Sequence, residues 1–127
     1  MRRAGKQVFD ATAILALIQD EPGAERLVEV LPEALAGSIN VAEVLAKLIG
    51  KGMPREQALA AFDALHLQTV GFDPVDAAAS AAYVGKGISL GGRCFLATAR
   101  THGAGWTSDR ALAAIRSEML PKIELFR

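Results

Sequence analysis

Apolar positions along the chain switch repeatedly between short runs and helix-spaced stripes. Val8-Phe9 is a short apolar run that stops at Asp10, and it predicts a strand. Residues 12–18, rich in Ala, Leu and Ile, predict a helix that Pro22-Gly23 breaks. Residues 24–30 predict the next helix, with Leu27, Val28 and Leu31 on one side. Ser38-Ile39 reads as a second, very short strand, followed by a helix over 41–49 that Gly50 and Gly52 stop. Pro54 sits where a helix accepts proline, at its start. That helix runs through 55–66, with Leu59, Phe62 and Leu65 at spacings of three. Residues 67–72 alternate in part and predict a strand. Asp73-Pro74 opens a helix through the alanines to Tyr83, with Asp76 placed as the partner in a loose capping box. Past the loop at Lys86-Gly87, Ser89 opens a helix to His102 that Gly103 closes. Residues 105–107 then predict a strand, 109–116 a helix and 123–126 a last strand.

Strands that alternate with helices throughout predict an α/β fold: a parallel sheet covered on both faces. With 127 residues and no repeat, linker or low-complexity segment, residues 1–127 are expected to form one domain. Hydrophobic residues make up 51% and charged residues 22%, which supplies a core and excludes a disordered chain. The longest mostly apolar stretch, 11–18, ends at Gln19-Asp20-Glu21. A spanning helix needs about 20 apolar residues, so no membrane segment is expected. Arg2, Arg3 and Lys6 lead only to Asp10, without the apolar core of a signal peptide. Cys94 is the one cysteine, so no internal disulfide can form, which fits a reducing cytosol and a cytoplasmic protein. Lys plus Arg equals Asp plus Glu at 14 each. Without a basic excess, any contact with nucleic acid must come from a local patch or a metal.

In a parallel sheet, functional groups gather outside the carboxyl ends of the strands. Asp10 follows the first strand, Glu43 lies in the first turn of the helix after the second, and Asp109 follows the Trp106 strand. Converging carboxylates repel and raise each other's proton affinity, and a cation removes that penalty. Mg²⁺ prefers oxygen ligands, takes one or two carboxylates and keeps several waters. Beside a phosphodiester it lowers the pKa of a bound water and stabilises phosphoryl charge. Each acid also has a structural role open to it. Asp10 and Asp109 can cap the helices that follow them, and Asn40 with Glu43 can form a capping box. The two kinds of role are compatible.

Other candidates are weaker. His66 and His102 lack matching partners and suit surface or capping roles. Cys94 has no paired base and suits a small core position. Trp106 suits the core, with base stacking as the alternative. Lys47, Lys51 and Arg55 suit a solvated face, with phosphate tracking as the alternative. Arg93 and Arg110 flank the acidic positions and are the better candidates for phosphate contact. The runs Gly85-Lys86-Gly87 and Leu90-Gly91-Gly92 lack phosphate-loop spacing, and no Gly-x-Gly-x-x-Gly follows the first strand.

Several segments resemble the PIN-domain toxins of the VapC type. Val8-Phe9-Asp10-Ala11-Thr12-Ala13 resembles the opening motif, with its acid and following hydroxyl, and Asp20-Glu21-Pro22-Gly23-Ala24 resembles the turn after the first helix. Ser38-Ile39-Asn40-Val41-Ala42-Glu43-Val44 resembles the second motif, Ser89-Leu90-Gly91-Gly92-Arg93-Cys94-Phe95-Leu96-Ala97 the third and Thr107-Ser108-Asp109-Arg110-Ala111 the fourth. The match covers nearly the whole chain, in order. It implies a PIN-like three-layer fold and a Mg²⁺- or Mn²⁺-dependent endoribonuclease, a toxin paired with an antitoxin and assembled as a homodimer. By position, Asp10, Glu43 and Asp109 would be the catalytic, metal-binding acids, with Thr12, Asn40 and Thr107 as polar neighbours. Arg93 and Arg110 would contact phosphate or an antitoxin carboxylate. The departure is Gly92, where the family motif carries an aspartate. The expected cluster falls from four acids to three, which implies an impaired nuclease. The alternative is a catalytically silent PIN module that binds antitoxin or RNA without cutting. An antitoxin groove around Leu15, Leu17, Leu27 and Val28 competes with ordinary core packing for those residues.

Overall fold

The structure is a computed structural model that describes residues 6–127, so Arg2 and Arg3 lie outside the described residues. Its strands are β1 (Lys6–Phe9), β2 (Ala34–Gly37), β3 (Gln68–Val70), β4 (Gly103–Thr107) and β5 (Ile123–Leu125). All pair in parallel, in the order β3-β2-β1-β4-β5. Its helices are α1 (Ala11–Gln19), α2 (Ala24–Val30), α3 (Ser38–Gly50), α4 (Arg55–Asp63), α5 (Pro74–Ser80), α6 (Leu90–His102) and α7 (Arg110–Ala113).

The pleat of the central strands divides the core into two halves. Phe9, Ala34, Ala36 and Trp106 face Ile14 and Ala16 of α1, Leu27 of α2 and Val44 and Leu48 of α3. Val8 and Leu35, one residue out of step, face Phe95, Leu96 and Ala99 of α6, together with Tyr83 and Leu112. The expected three-layer α/β arrangement is therefore present, with helices on both faces of the sheet. Each large side chain taken fully from water here stabilises the fold by about 1.5–3 kcal/mol. Trp106 is a core residue, and its indole N–H donates to the buried Gln7 Oε1 at 2.7 Å.

The second strand lies earlier than the sequence pattern predicts. Ser38-Ile39 is not a strand: β2 precedes it at Ala34–Gly37, and Ser38 is the first residue of α3. Two alanines and a glycine are poor strand formers, yet all four β2 positions are buried by cover on both faces. Gly37 suits the place, because a Cβ there would come within 2.8 Å of Thr98 Oγ1 on α6. The early start of α3 shifts Glu43 from the first helical turn to the second. It also makes Asn40 an interior helical residue, since the N-cap is Gly37.

Other boundaries differ less. α4 ends at Asp63, and the exposed His66 takes a left-handed φ of 51° in the turn that follows. The expected capping box of Asp73 and Asp76 is present. α7 is shorter than the 109–116 expected. Val28 is 57% exposed, so it does not share the buried side of α2 with Leu27. Among the described residues no helix is long and apolar enough to cross a membrane.

The chain leaves β1 for β2 and β3 on one side, then returns to β4 and β5 on the other. This reversal opens a crevice beyond the carboxyl ends of β1 and β4, where ligands of such sheets bind.

Candidate functional site

Asp10 follows the last residue of β1 and caps α1. Its Oδ1 accepts from the backbone N–H of Ala13 at 2.9 Å and from the Thr12 hydroxyl at 2.6 Å. Its Oδ2 accepts from the Thr107 hydroxyl, at the end of β4, at 2.5 Å. Thr107 Oγ1 in turn accepts from the N–H of Asp109 at 2.9 Å, and Thr12 Oγ1 accepts from Ser108 N–H at 2.9 Å. The ends of β1 and β4 are thus laced together through one carboxylate. Asp10 is 4% exposed. Burial pushes its pKa up from 3.8 to about 6, with a smaller push from the Glu43 charge, against the hydrogen bonds from Thr107, Thr12 and Ala13 that favour the ionised form.

Glu43 arrives from α3 and meets the start of α6. Asn40, one turn earlier, is 2% exposed, and its amide N–H₂ donates to Glu43 Oε1 at 2.8 Å and to the Gly91 carbonyl at 3.0 Å. The expected Asn40–Glu43 contact exists, but as a link inside the helix rather than a cap. Gly91 admits it: a Cβ on Gly91 would fall on the Glu43 carboxyl group. Gly92, one residue on, is different. Its N–H donates to Ser89 Oγ, the cap of α6, at 3.0 Å. A Cβ there would meet only the Leu112 methyl at 3.0 Å and Ser89 Oγ at 3.4 Å.

These residues line one cavity of about 110 Å³. Asp10, Thr12, Asn40, Glu43, Gly92 and Asp109, all singled out from the sequence, are brought together there. Ala11, Lys47, Ser89, Gly91 and Leu112 complete the wall. The expected flanking cations, Arg93 and Arg110, do not line it; the cation that does is Lys47, which the sequence pattern assigns to a solvated face. Its spacing of four from Glu43 was the available signal, since i and i+4 share a helix face. Thr107 supports the cavity from behind through Asp10. Asp109 is exposed, and its Oδ1 accepts from Ala111 N–H at 2.8 Å as the cap of α7. Cys94 is buried, and burial pushes its thiol pKa up, which suits the core role expected of it. Cavities of about 340 and 450 Å³ elsewhere have no acidic side chain in their walls.

A divalent cation fits this donor set only in part. The acids are hard oxygen donors, and the buried Asn40 Oδ1 has no hydrogen-bond partner, so it can accept from a water held in the cavity. Among the described residues, however, no three His, Cys, Asp or Glu side chains gather as a metal-binding group. Asp10 and Glu43 lie close enough for their charges to interact, while the carboxylate of Asp109 turns to its own helix. The residues suit one hydrated cation held by Asp10 and Glu43, with Asp109 on the same cavity wall.

The PIN domain family profile matches residues 8–117. This chain belongs to the PIN domain family. No curated protein sequence is significantly similar to it. Among solved structures, a toxin–antitoxin complex from Klebsiella pneumoniae has a chain that aligns with TM-score 0.71 and 20% identity, covering 91% of this chain and 99% of that one. The VapBC2 complex from Rickettsia felis, bound to a DNA fragment from its promoter, aligns with TM-score 0.65 and 16% identity over 94% and 97% of the two chains. A Pyrobaculum aerophilum protein aligns with TM-score 0.63 and 16% identity over 93% and 83%. At these identities the likeness concerns the fold.

Proposed function

We propose that this chain is a divalent-metal-dependent endoribonuclease toxin of the VapC type, acting as a single PIN domain and slowed by Gly92. The observation that carries the proposal is the pairing of Asp10 and Glu43, two interacting carboxylates from different elements, in a cavity at the strand-reversal crevice. Membership of the PIN family and the likeness to toxin–antitoxin complexes support it. Asp10 and Glu43 would hold one Mg²⁺ or Mn²⁺, and Asp109 would act through water. When bound, the cation lowers the pKa of a coordinated water and stabilises charge on phosphoryl oxygens. Thr12 and Thr107 keep Asp10 ionisable by donating to both its oxygens. Asn40 fixes Glu43, and Lys47 offers its charge to a phosphodiester at the cavity mouth.

An antitoxin partner, a homodimer, an RNA substrate and a cytoplasmic setting belong to the same reading. Of the apolar residues suggested for an antitoxin groove, Leu15 and Leu27 are core. Val28 instead joins Leu31, Pro32 and Leu65 around a cavity of about 450 Å³, and this is the surface we assign to the antitoxin. The second reading, a binding module that does not cut, draws support from Gly92 and from the absence of a three-acid group among the described residues.

Incubating structured RNA with the chain in Mg²⁺, in Mn²⁺ and in EDTA tests the proposal beside a Glu43→Gln variant. Slow cleavage that needs metal and Glu43 is expected. Binding of RNA with no cleavage in either metal would favour the silent module.

A further inference from the structure

α6 and α7 both begin at the carboxylate cavity and lead away from it. Arg100 lies eight residues beyond Gly92 on α6, about 12 Å along the axis at 1.5 Å per residue. Arg116 lies just past the end of α7. There the two arginines meet Tyr83 and Lys86, from the segment after α5, around a second cavity of about 210 Å³.

Every charged side chain in its wall is a cation: Lys86, Arg100 and Arg116. None of the three takes part in an ion pair among the described residues. The Arg116 guanidinium is held in place by donating to the Ala113 carbonyl at 2.6 Å and the Ile115 carbonyl at 3.2 Å. Burial pushes the Tyr83 phenol pKa up while the Arg100 charge pulls it down, which places the guanidinium near the phenol. The chain as a whole is neutral, with 14 cations and 14 anions, so this is a local concentration of charge. A basic residue near the end of α6 suits the helix dipole and would account for Arg100 alone. It does not account for Lys86 and Arg116 arriving from two other segments.

We propose that this cavity is a phosphate subsite that grips the backbone of single-stranded RNA beyond the carboxylate cavity, about 12 Å along α6 from Gly92. The inference rests on the RNA substrate of the proposed function. The planar guanidinium groups suit bidentate phosphate contact, and Lys86 supplies a point charge. The subsite would hold the strand without reading its sequence, because phosphate contacts position and do not specify.

The test is fluorescence anisotropy with a labelled single-stranded RNA, in EDTA so that nothing is cut, across a series of salt concentrations. The variants are the triple change Lys86→Ala, Arg100→Ala and Arg116→Gln, and a control, Lys51→Ala with Arg55→Ala, on another face. Thermal melts check that each variant remains folded, and Arg100→Ala alone keeps the test valid should the Arg116 change loosen α7. Removing one phosphate-binding cation should flatten the log–log salt slope by about 0.7, so the triple variant should lose about 2 from the slope and about tenfold or more in affinity. The control should lose neither. Equal losses in triple variant and control, no loss in the triple variant, or no RNA binding by the parent chain would each overturn the subsite. Cleavage of the same RNA in Mn²⁺ is scored separately. Subsite-dependent binding without cleavage would leave the subsite standing and count against the nuclease.

Discussion

The carboxyl group of Glu43 occupies the space that a side chain on Gly91 would need. The same glycine's carbonyl accepts from Asn40, whose amide also holds Glu43. Gly91 is therefore a positioning residue for Glu43 and not merely a weak point in α6. In a Gly91→Ala variant Glu43 must swing out of the cavity. Overpacking of this kind costs roughly 1–3 kcal/mol. Urea melts of Gly91→Ala, Glu43→Ala and the double variant check this. The two changes should be strongly non-additive, with Glu43→Ala relieving most of the Gly91→Ala penalty, and Mn²⁺ affinity should fall in Gly91→Ala itself. Additive penalties would show that the two residues do not compete for space.

Asp10 gives the protein a pH dependence with a definite sign. Its pKa is 3.8 ordinarily and about 6 here. Between those values the folded chain keeps a proton that the unfolded chain has released, so stability falls as pH rises through that window and levels off above it. A shift of about two units corresponds to on the order of 3 kcal/mol. Asp10→Asn should remove this slope, so the variant should gain on the parent from about pH 4 to pH 6. Saturating Mg²⁺ should shrink the difference by favouring the ionised carboxylate. Denaturation midpoints of both chains across pH 4–7 measure it, and a parent whose stability rises through the window would contradict the account.

Thr107, fully buried, donates to Asp10 and accepts from the N–H of Asp109. Thr107→Val keeps the shape and removes both bonds. It should cost about 1–3 kcal/mol, the penalty of leaving buried polar groups short of partners. It should also move the Asp10 midpoint above about 6, because the bond it removes favours the charged form. Carboxyl-carbon NMR titration of Asp10 reads the second effect directly, and an unchanged midpoint would show that the hydroxyl does not tune the acid.

The layer order was legible because its signals are local. Val8-Phe9 before an acid, Ser89 as a cap and Gly103 as a stop need no knowledge of the rest of the chain. β2 was not legible, since Ala34-Leu35-Ala36-Gly37 becomes a strand only when helices cover both its faces. Asp10, Glu43 and Asp109 were legible because acids at strand ends carry chemistry in any such sheet, whereas Thr12 and Asn40 as their polar neighbours followed from the resemblance to the PIN-domain toxins. Gly91 was invisible, since its role depends on α3 passing within reach of α6. Arg93 and Arg110 adjoin the site in sequence, but neither lines the cavity, and adjacency along a helix does not fix where a side chain points.

On the proposed reading, Gly92 is what slows the nuclease. A Cβ there comes within 3.0 Å of a methyl of the buried Leu112, which must give by a few tenths of an ångström, and 3.4 Å of the Ser89 hydroxyl, while an acid in the first turn of α6 is favoured by the helix dipole. Gly92→Asp should therefore fold with stability within about 1 kcal/mol of the parent. The most direct test compares RNA cleavage by the parent chain, by Gly92→Asp and by the double variant Asp10→Ala with Gly92→Asp, each in Mg²⁺ and in Mn²⁺. The account predicts slow, metal-dependent cutting by the parent, clearly faster metal-dependent cutting by Gly92→Asp, and none by the double variant. Equal cutting by the parent and Gly92→Asp, or no cutting by Gly92→Asp on any RNA, would contradict it.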